Sequence, residues 1–200
     1  MSALAAAQRP FFFLIDFELE KPIICPIEEA QELGFQFEIK GFSNFQLQDR
    51  KPAPVPLLIE PIPKAIYAKA YRKVIKEIYR GNTFLLNLTF PSTIETHLNL
   101  QDIFQLAKAP YKLLYENRFV VYSPECFVKI KDSQIYSYPM KGTIDAQVPE
   151  AKKKLHTDPK EINEHNTIVD LIRNDLSKVA KEVQVTRFRY LDKIKTQKKF

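Results

Sequence analysis

A lysine sits in a tight turn, Pro139-Met140-Lys141-Gly142-Thr143, shortly before a helical run in which Glu161, Glu164, His165 and Ile168 share a face. A lysine becomes a nucleophile only as the free amine, which needs desolvation or a neighbouring cation to bring it down from ~10.4. Gly142 lets the backbone approach a ligand closely, and a cation held nearby would supply the field. Carboxylates one turn apart repel unless something positive lies between them, and magnesium typically takes one or two while leaving room for substrate oxygens. Glu125, in Ser123-Pro124-Glu125, precedes the apolar stretch 127–130, where a carboxyl group could hold a proton and deliver it to a departing hydroxyl. Each group also has a plainer reading. Lys141 and Thr143 would pass as turn residues, and Glu161 and Glu164 as a solvated face near a positive helix N-terminus. Glu125 would pass as a strand-edge acid paired with Lys129 or Lys131. Asp170, Arg173 and Asn174 read as a local ion pair on an amphipathic helix. By residue type and spacing alone the plainer readings hold.

The elements that must position these groups are legible in outline. The stretches 11–15 and 35–39 read as strands, the second by its alternation, with a short helix or loop at 28–34. Five prolines between 51 and 63 favour an extended connector. Helical spacing runs from Lys64 to Arg80, with Pro63 suited to the start and Gly81 to the end. The apolar run 83–90 reads as a buried strand stopped by Pro91, and 100–107 as a short helix. Four strands follow at 111–115, 118–122, 126–131 and 134–138, turning at Glu116-Asn117 and Asp132-Ser133. Asp158, Pro159 and Glu161 together mark a helix start with a capping box. A strand is expected at 183–190. Antiparallel hairpins feeding a helix make the fold class α+β, in a single domain over 1–200.

Composition narrows the function classes. With 45% hydrophobic residues in 200, the chain can bury one sizeable core. Asp16 and Glu18 cut short the apolar start at Phe11, so neither a membrane span nor a secretory leader is expected, and a cytoplasmic location follows. Cys25 and Cys126 stand far apart and the three histidines are scattered, which points away from a zinc site or a disulfide framework. From Lys178 to Phe200 eight basic residues face two acidic ones, which accounts for the whole net charge of +6. That basic end lacks the interleaved aromatics of a nucleic-acid surface, so no nucleic-acid partner is expected.

Ser123-Pro124-Glu125, Pro139-Met140-Lys141-Gly142-Thr143 and Glu164-His165-Asn166-Thr167-Ile168-Val169-Asp170-Leu171-Ile172-Arg173-Asn174-Asp175 together resemble the chorismate-utilising enzymes. Gly81-Asn82-Thr83-Phe84 is a modest further match. Lysine before Gly-Thr is similar to the para-aminobenzoate branch, aminodeoxychorismate synthase component I; anthranilate and isochorismate synthases usually carry alanine there. The resemblance implies Lys141 as covalent nucleophile, Glu125 as general acid, Gly142 and Thr143 at the substrate, and Glu164 as a magnesium ligand. It implies chorismate and ammonia as substrates, with ammonia from a glutamine amidotransferase subunit, and 4-amino-4-deoxychorismate, a folate precursor, as product. It further implies an incomplete part of an anthranilate-synthase-like α/β sandwich, because family members continue well past the position of Phe200. The chain is then expected either to act as such an enzyme or to be a non-catalytic chorismate-binding or amidotransferase-docking fragment, or an anthranilate or isochorismate synthase relative. An exposed apolar face in such a fragment suggests a homodimer.

Overall fold

Alternation along Phe35-Gln36-Phe37-Glu38-Ile39 places two aromatic rings on one face of a strand and two polar side chains on the other, and the fold is organised around that division. The computed structural model describes residues 2–46 and 57–194. In chain order it contains α1 (Ser2–Ala6), β1 (Phe11–Leu14), β2 (Ile23–Pro26), a 3-10 turn at Ile27–Glu29, β3 (Phe35–Ile39), β4 (Phe42–Ser43) and β5 (Leu58–Glu60). These are followed by α2 (Lys64–Tyr79), β6 (Thr93–Glu95), α3 (Leu100–Leu106), β7 (Tyr111–Tyr115), β8 (Phe119–Ser123), β9 (Lys129–Lys131), β10 (Gln134–Tyr136), α4 (Ala151–Thr157) and α5 (Pro159–Ser177). All strand pairings are antiparallel among the described residues. One sheet has the order β4-β3-β7-β8, and β1-β2, β5-β6 and β9-β10 are two-stranded. Mixed helices and antiparallel sheets were expected. No helix among the described residues is long and apolar enough to cross a membrane.

The register pairs Phe35 with Tyr115 and Phe37 with Leu113, so these four side chains share one face. The β1-β2 hairpin covers that face. Phe12 lies 4.7 Å from the Phe35 ring and 5.5 Å from Phe37, and Cys25 and Ala30 complete the buried cluster. Aromatic pairs at such separations add to the stabilisation their buried area provides. The opposite face carries Leu114 and Lys112, both buried, under Phe104 of α3, which is fully enclosed. The Lys112 ammonium is fully employed: it meets Glu38 Oε2 at 3.2 Å and the carbonyls of Phe104 and Ala107 at 3.3 Å, closing the carboxyl end of α3. The other end of α3 is capped by Asn99, whose side chain accepts the Asp102 N–H.

Two expected strands do not form. The run 83–90 has no ladder partner among the described residues, and Phe84 is 89% exposed. Its chain turns locally, with the Thr83 hydroxyl donating to the Leu85 carbonyl, and Phe90 packs against Tyr67 of α2. The stretch 183–190 forms no strand; Glu182 before it and Arg189 near its end both take left-handed backbone, at φ of +55° and +49°. There the side chains fold back instead: Arg189 donates to the His156 carbonyl at 2.7 Å and Phe188 packs edge-on against His165. The proline-rich connector lies outside the described residues at 51–56, and its later part is the short strand β5 rather than a plain linker. The basic end lies outside them from residue 195.

Lys112→Ala should lower stability by about 2–3 kcal/mol, because it strands the Glu38 carboxylate and the α3 carbonyls. Urea unfolding of Lys112→Ala, Glu38→Ala and the double variant checks this, with the double costing clearly less than the two singles added.

Candidate functional site

Chain geometry, rather than proximity in sequence, brings the singled-out residues together. β8 ends at Ser123, whose hydroxyl accepts the Glu125 N–H and donates to the Glu125 carbonyl, both at 3.0 Å, which pins the bend at Pro124. The β9-β10 hairpin turns through Asp132 and Ser133, both at positive φ, and returns the chain to Glu125 fifteen residues later. There the Met140 N–H donates to Glu125 Oε1 at 2.6 Å. That bond settles the partner of Glu125, which is the turn's backbone rather than Lys129 or Lys131; Lys131 meets Asp132. The turn then presents Lys141, Gly142 and Thr143.

The opposing wall is the first turn of α5. Asp158 caps it as expected, its Oδ1 accepting from Lys160 N–H at 2.8 Å and Glu161 N–H at 3.3 Å. The capping box does not close, because the Asp158 N–H is already donated to Lys154 at the end of α4. Glu161 is therefore not drawn back to the cap and turns towards Gly142. A Cβ built on Gly142 would lie 2.6 Å from Glu161 Oε2 and 3.0 Å from Leu155 Cδ1, and Gly142 has a φ of +74°. Only a glycine meets both demands.

Glu125, Met140, Lys141, Gly142, Thr143, Glu161 and Glu164 line one cleft of about 410 Å³, open to solvent and sized for a small molecule. All five residues nominated from the sequence, Lys141, Glu125, Gly142, Thr143 and Glu164, fall on it. The sequence patch paired Glu161 with Glu164 but nominated only the latter, although their spacing of three was the signal for both. Met140, as the backbone tie for Glu125, carried no signal, and neither did α4. His165 shares the helix but packs on Phe188; burial, and then the charge of Arg189, push its pKa down. Asp170 and Arg173 form the exposed local pair expected, at 3.8 Å.

Two features bear on a cation. Glu161 Oε2 is buried with no hydrogen-bond partner, and burial of such an oxygen without a donor is costly. Lys160 meets Glu164 Oε1 at 3.1 Å and Glu161 Oε1 at 3.3 Å, and these carboxylates hold its ammonium above the usual lysine value, Glu164 most. Among the described residues no three Asp, Glu, His or Cys side chains cluster as a ready-made metal cage. A pair of carboxylates with one orphaned oxygen suits magnesium, which keeps water and substrate oxygens in its other positions.

A family model described as chorismate binding enzyme matches residues 20–196. The chain belongs to that family. An uncharacterised PabA-like protein of Pasteurella multocida is 56% identical over 192 residues, which cover 96% of this chain and 59% of that protein. A similar uncharacterised PabA-like protein of Haemophilus influenzae is 51% identical, covering 94% of this chain and 57% of its own length. The chain thus spans somewhat under two thirds of the length of these two relatives. A 2-amino-4-deoxychorismate synthase of Streptomyces globisporus is 29% identical over 58% of this chain and 26% of that protein. Anthranilate synthase component 1 proteins match at the same level, so identity alone does not divide the two activities. No solved structure matches.

Gly142→Ala and Gly41→Ala each force alanine into left-handed backbone, and each should cost about 1–2 kcal/mol in urea unfolding. A Cβ at Gly41 meets nothing within 4 Å. Only the Gly142 variant should therefore displace the Glu161 carboxylate, visible as a shift of that side chain's carboxyl carbon resonance.

Proposed function

We propose that this protein is the chorismate-aminating part of a para-aminobenzoate pathway enzyme, forming 4-amino-4-deoxychorismate from chorismate and ammonia. The observation that carries the reading is that the Lys141 turn is tied to Glu125 through Met140, so nucleophile and proton donor share one cleft. Lys141, as the free amine, forms a bond from its nitrogen to the substrate ring with allylic shift of a double bond. The bond to the 4-hydroxyl breaks and Glu125 delivers the proton that lets it leave as water. Glu125 Oε1 is engaged by Met140 N–H, which leaves Oε2 to carry that proton. Ammonia then attacks the carbon that bore the hydroxyl, the double bond shifts back and expels the lysine as the free amine, and the new ammonium returns a proton to Glu125. Two easier displacements replace one difficult one.

Glu161 and Glu164 would hold a magnesium ion, which when bound supplies charge to grip the substrate's ring carboxylate. The remaining work is done by the chain: Gly142 lets the Glu161 carboxylate close against the lysine turn, both on the cleft the substrate enters, and the Thr143 hydroxyl faces the substrate. Ammonia is delivered by a glutamine amidotransferase subunit. The same reading makes these elements one part of a two-layer α/β sandwich.

A second reading, a chorismate-binding module without turnover, is favoured by the openness of the cleft to solvent. Product mass after incubation with chorismate, ammonium and magnesium separates the two. Aminodeoxychorismate is expected, abolished by Lys141→Ala and slowed about 10²–10⁴-fold by Glu125→Gln. The same measurement on the longer Pasteurella relative completes the test. Anthranilate from either protein would sink the lysine assignment, and binding without product from both would favour the module.

A further inference from the structure

The acidic wall of the cleft already holds a positive charge. Lys160 places one ammonium between Glu161 Oε1 and Glu164 Oε1, at 3.3 and 3.1 Å, so a single cation bridges the pair. A divalent ion held by the same two carboxylates would lie beside this ammonium, and two positive charges at one acidic pair repel. The bridge is incomplete, because the inner oxygen of Glu161 stays buried and unpartnered while Lys160 satisfies only the outward side.

Helix stability does not explain a lysine at this position. Lys160 lies in the first turn of α5, where the partial positive charge of the helix end disfavours a cation. Its gain comes from relieving the repulsion of two like charges three residues apart. Its side chain is 72% exposed on a flexible, strongly hydrated stem, so it can leave for water with little rearrangement.

We propose that Lys160 is a built-in competitor for the divalent cation: its ammonium keeps Glu161 and Glu164 together in the metal-free protein and swings out when the ion binds. The cleft then stays assembled without metal, and the lysine sets how much free cation is needed to fill it. This inference rests on the assignment of Glu161 and Glu164 as the metal ligands. It makes Lys160 a positioning residue rather than a catalytic one.

The test uses Mn²⁺ as the probe, with free ion counted by its electron paramagnetic resonance signal, so turnover is not involved. Lys160→Met should tighten Mn²⁺ binding about three- to tenfold, and Lys160→Arg should restore affinity close to that of the unaltered protein. Lys178→Met removes the same charge at the far end of α5, where it pairs with Asp175, and should leave binding unchanged. The Glu161→Gln/Glu164→Gln double variant should lose the ion. Unchanged or weaker binding in Lys160→Met, with the ion lost in the double variant, overturns the competitor role and leaves the ligand assignment standing. Mn²⁺ retained by the double variant, or bound by none of the proteins, overturns both.

Discussion

The pairing of β3 with β7 is the constraint on which the other elements depend. Because side chains alternate along a strand, a slip of one residue would exchange Phe35 and Phe37 for Gln36 and Glu38 on the face that receives β1 and β2. The same register sets Lys112 opposite Glu38, so the buried Lys112 ammonium finds its carboxylate and the end of α3 at once. Apolar packing on one face and a satisfied ion pair on the other thus select the same alignment. β8 is then placed by β7, and the end of β8 fixes where Ser123-Pro124-Glu125 begins.

The cleft hangs from this platform by short, local devices. A serine hydroxyl fixes one bend, a two-residue turn returns the chain, and a single backbone N–H joins Glu125 to the lysine turn. The facing wall is the start of a capped helix. Acid, amine and carboxylates therefore come from three segments that make few contacts with the core, and their arrangement is set by hydrogen bonds and by one glycine rather than by bulk packing. Of the three, the Glu125 segment continues directly from the four-stranded sheet, through β8.

Much of this was legible in the sequence, and the reasons differ by element. Helix α2 showed through its spacing and its flanking Pro63 and Gly81, and the β7 to β10 hairpins through alternation and turn residues. The five nominated site residues came from motif resemblance, since spacing alone favoured the plainer readings. What periodicity cannot state is which partner a segment meets. The run 83–90 has the composition of a buried strand and no ladder beside it among the described residues, and 183–190 alternates like a strand but ends with Arg189 bonded to the His156 carbonyl of α4. Glu161 was read as half of a capping box because nothing in the sequence reveals that the Asp158 N–H is already spent on α4.

That shared residue has a mechanical meaning. Asp158 finishes one helix with its backbone and begins the next with its side chain, so α4 and α5 meet at a joint without slack. Leu155 on α4 and Glu161 on α5 both press on the space that Gly142 leaves open. Asp158 thus ties α4 to the carboxylate wall through one residue, its N–H donated to Lys154 and its carboxylate accepting from the first turn of α5.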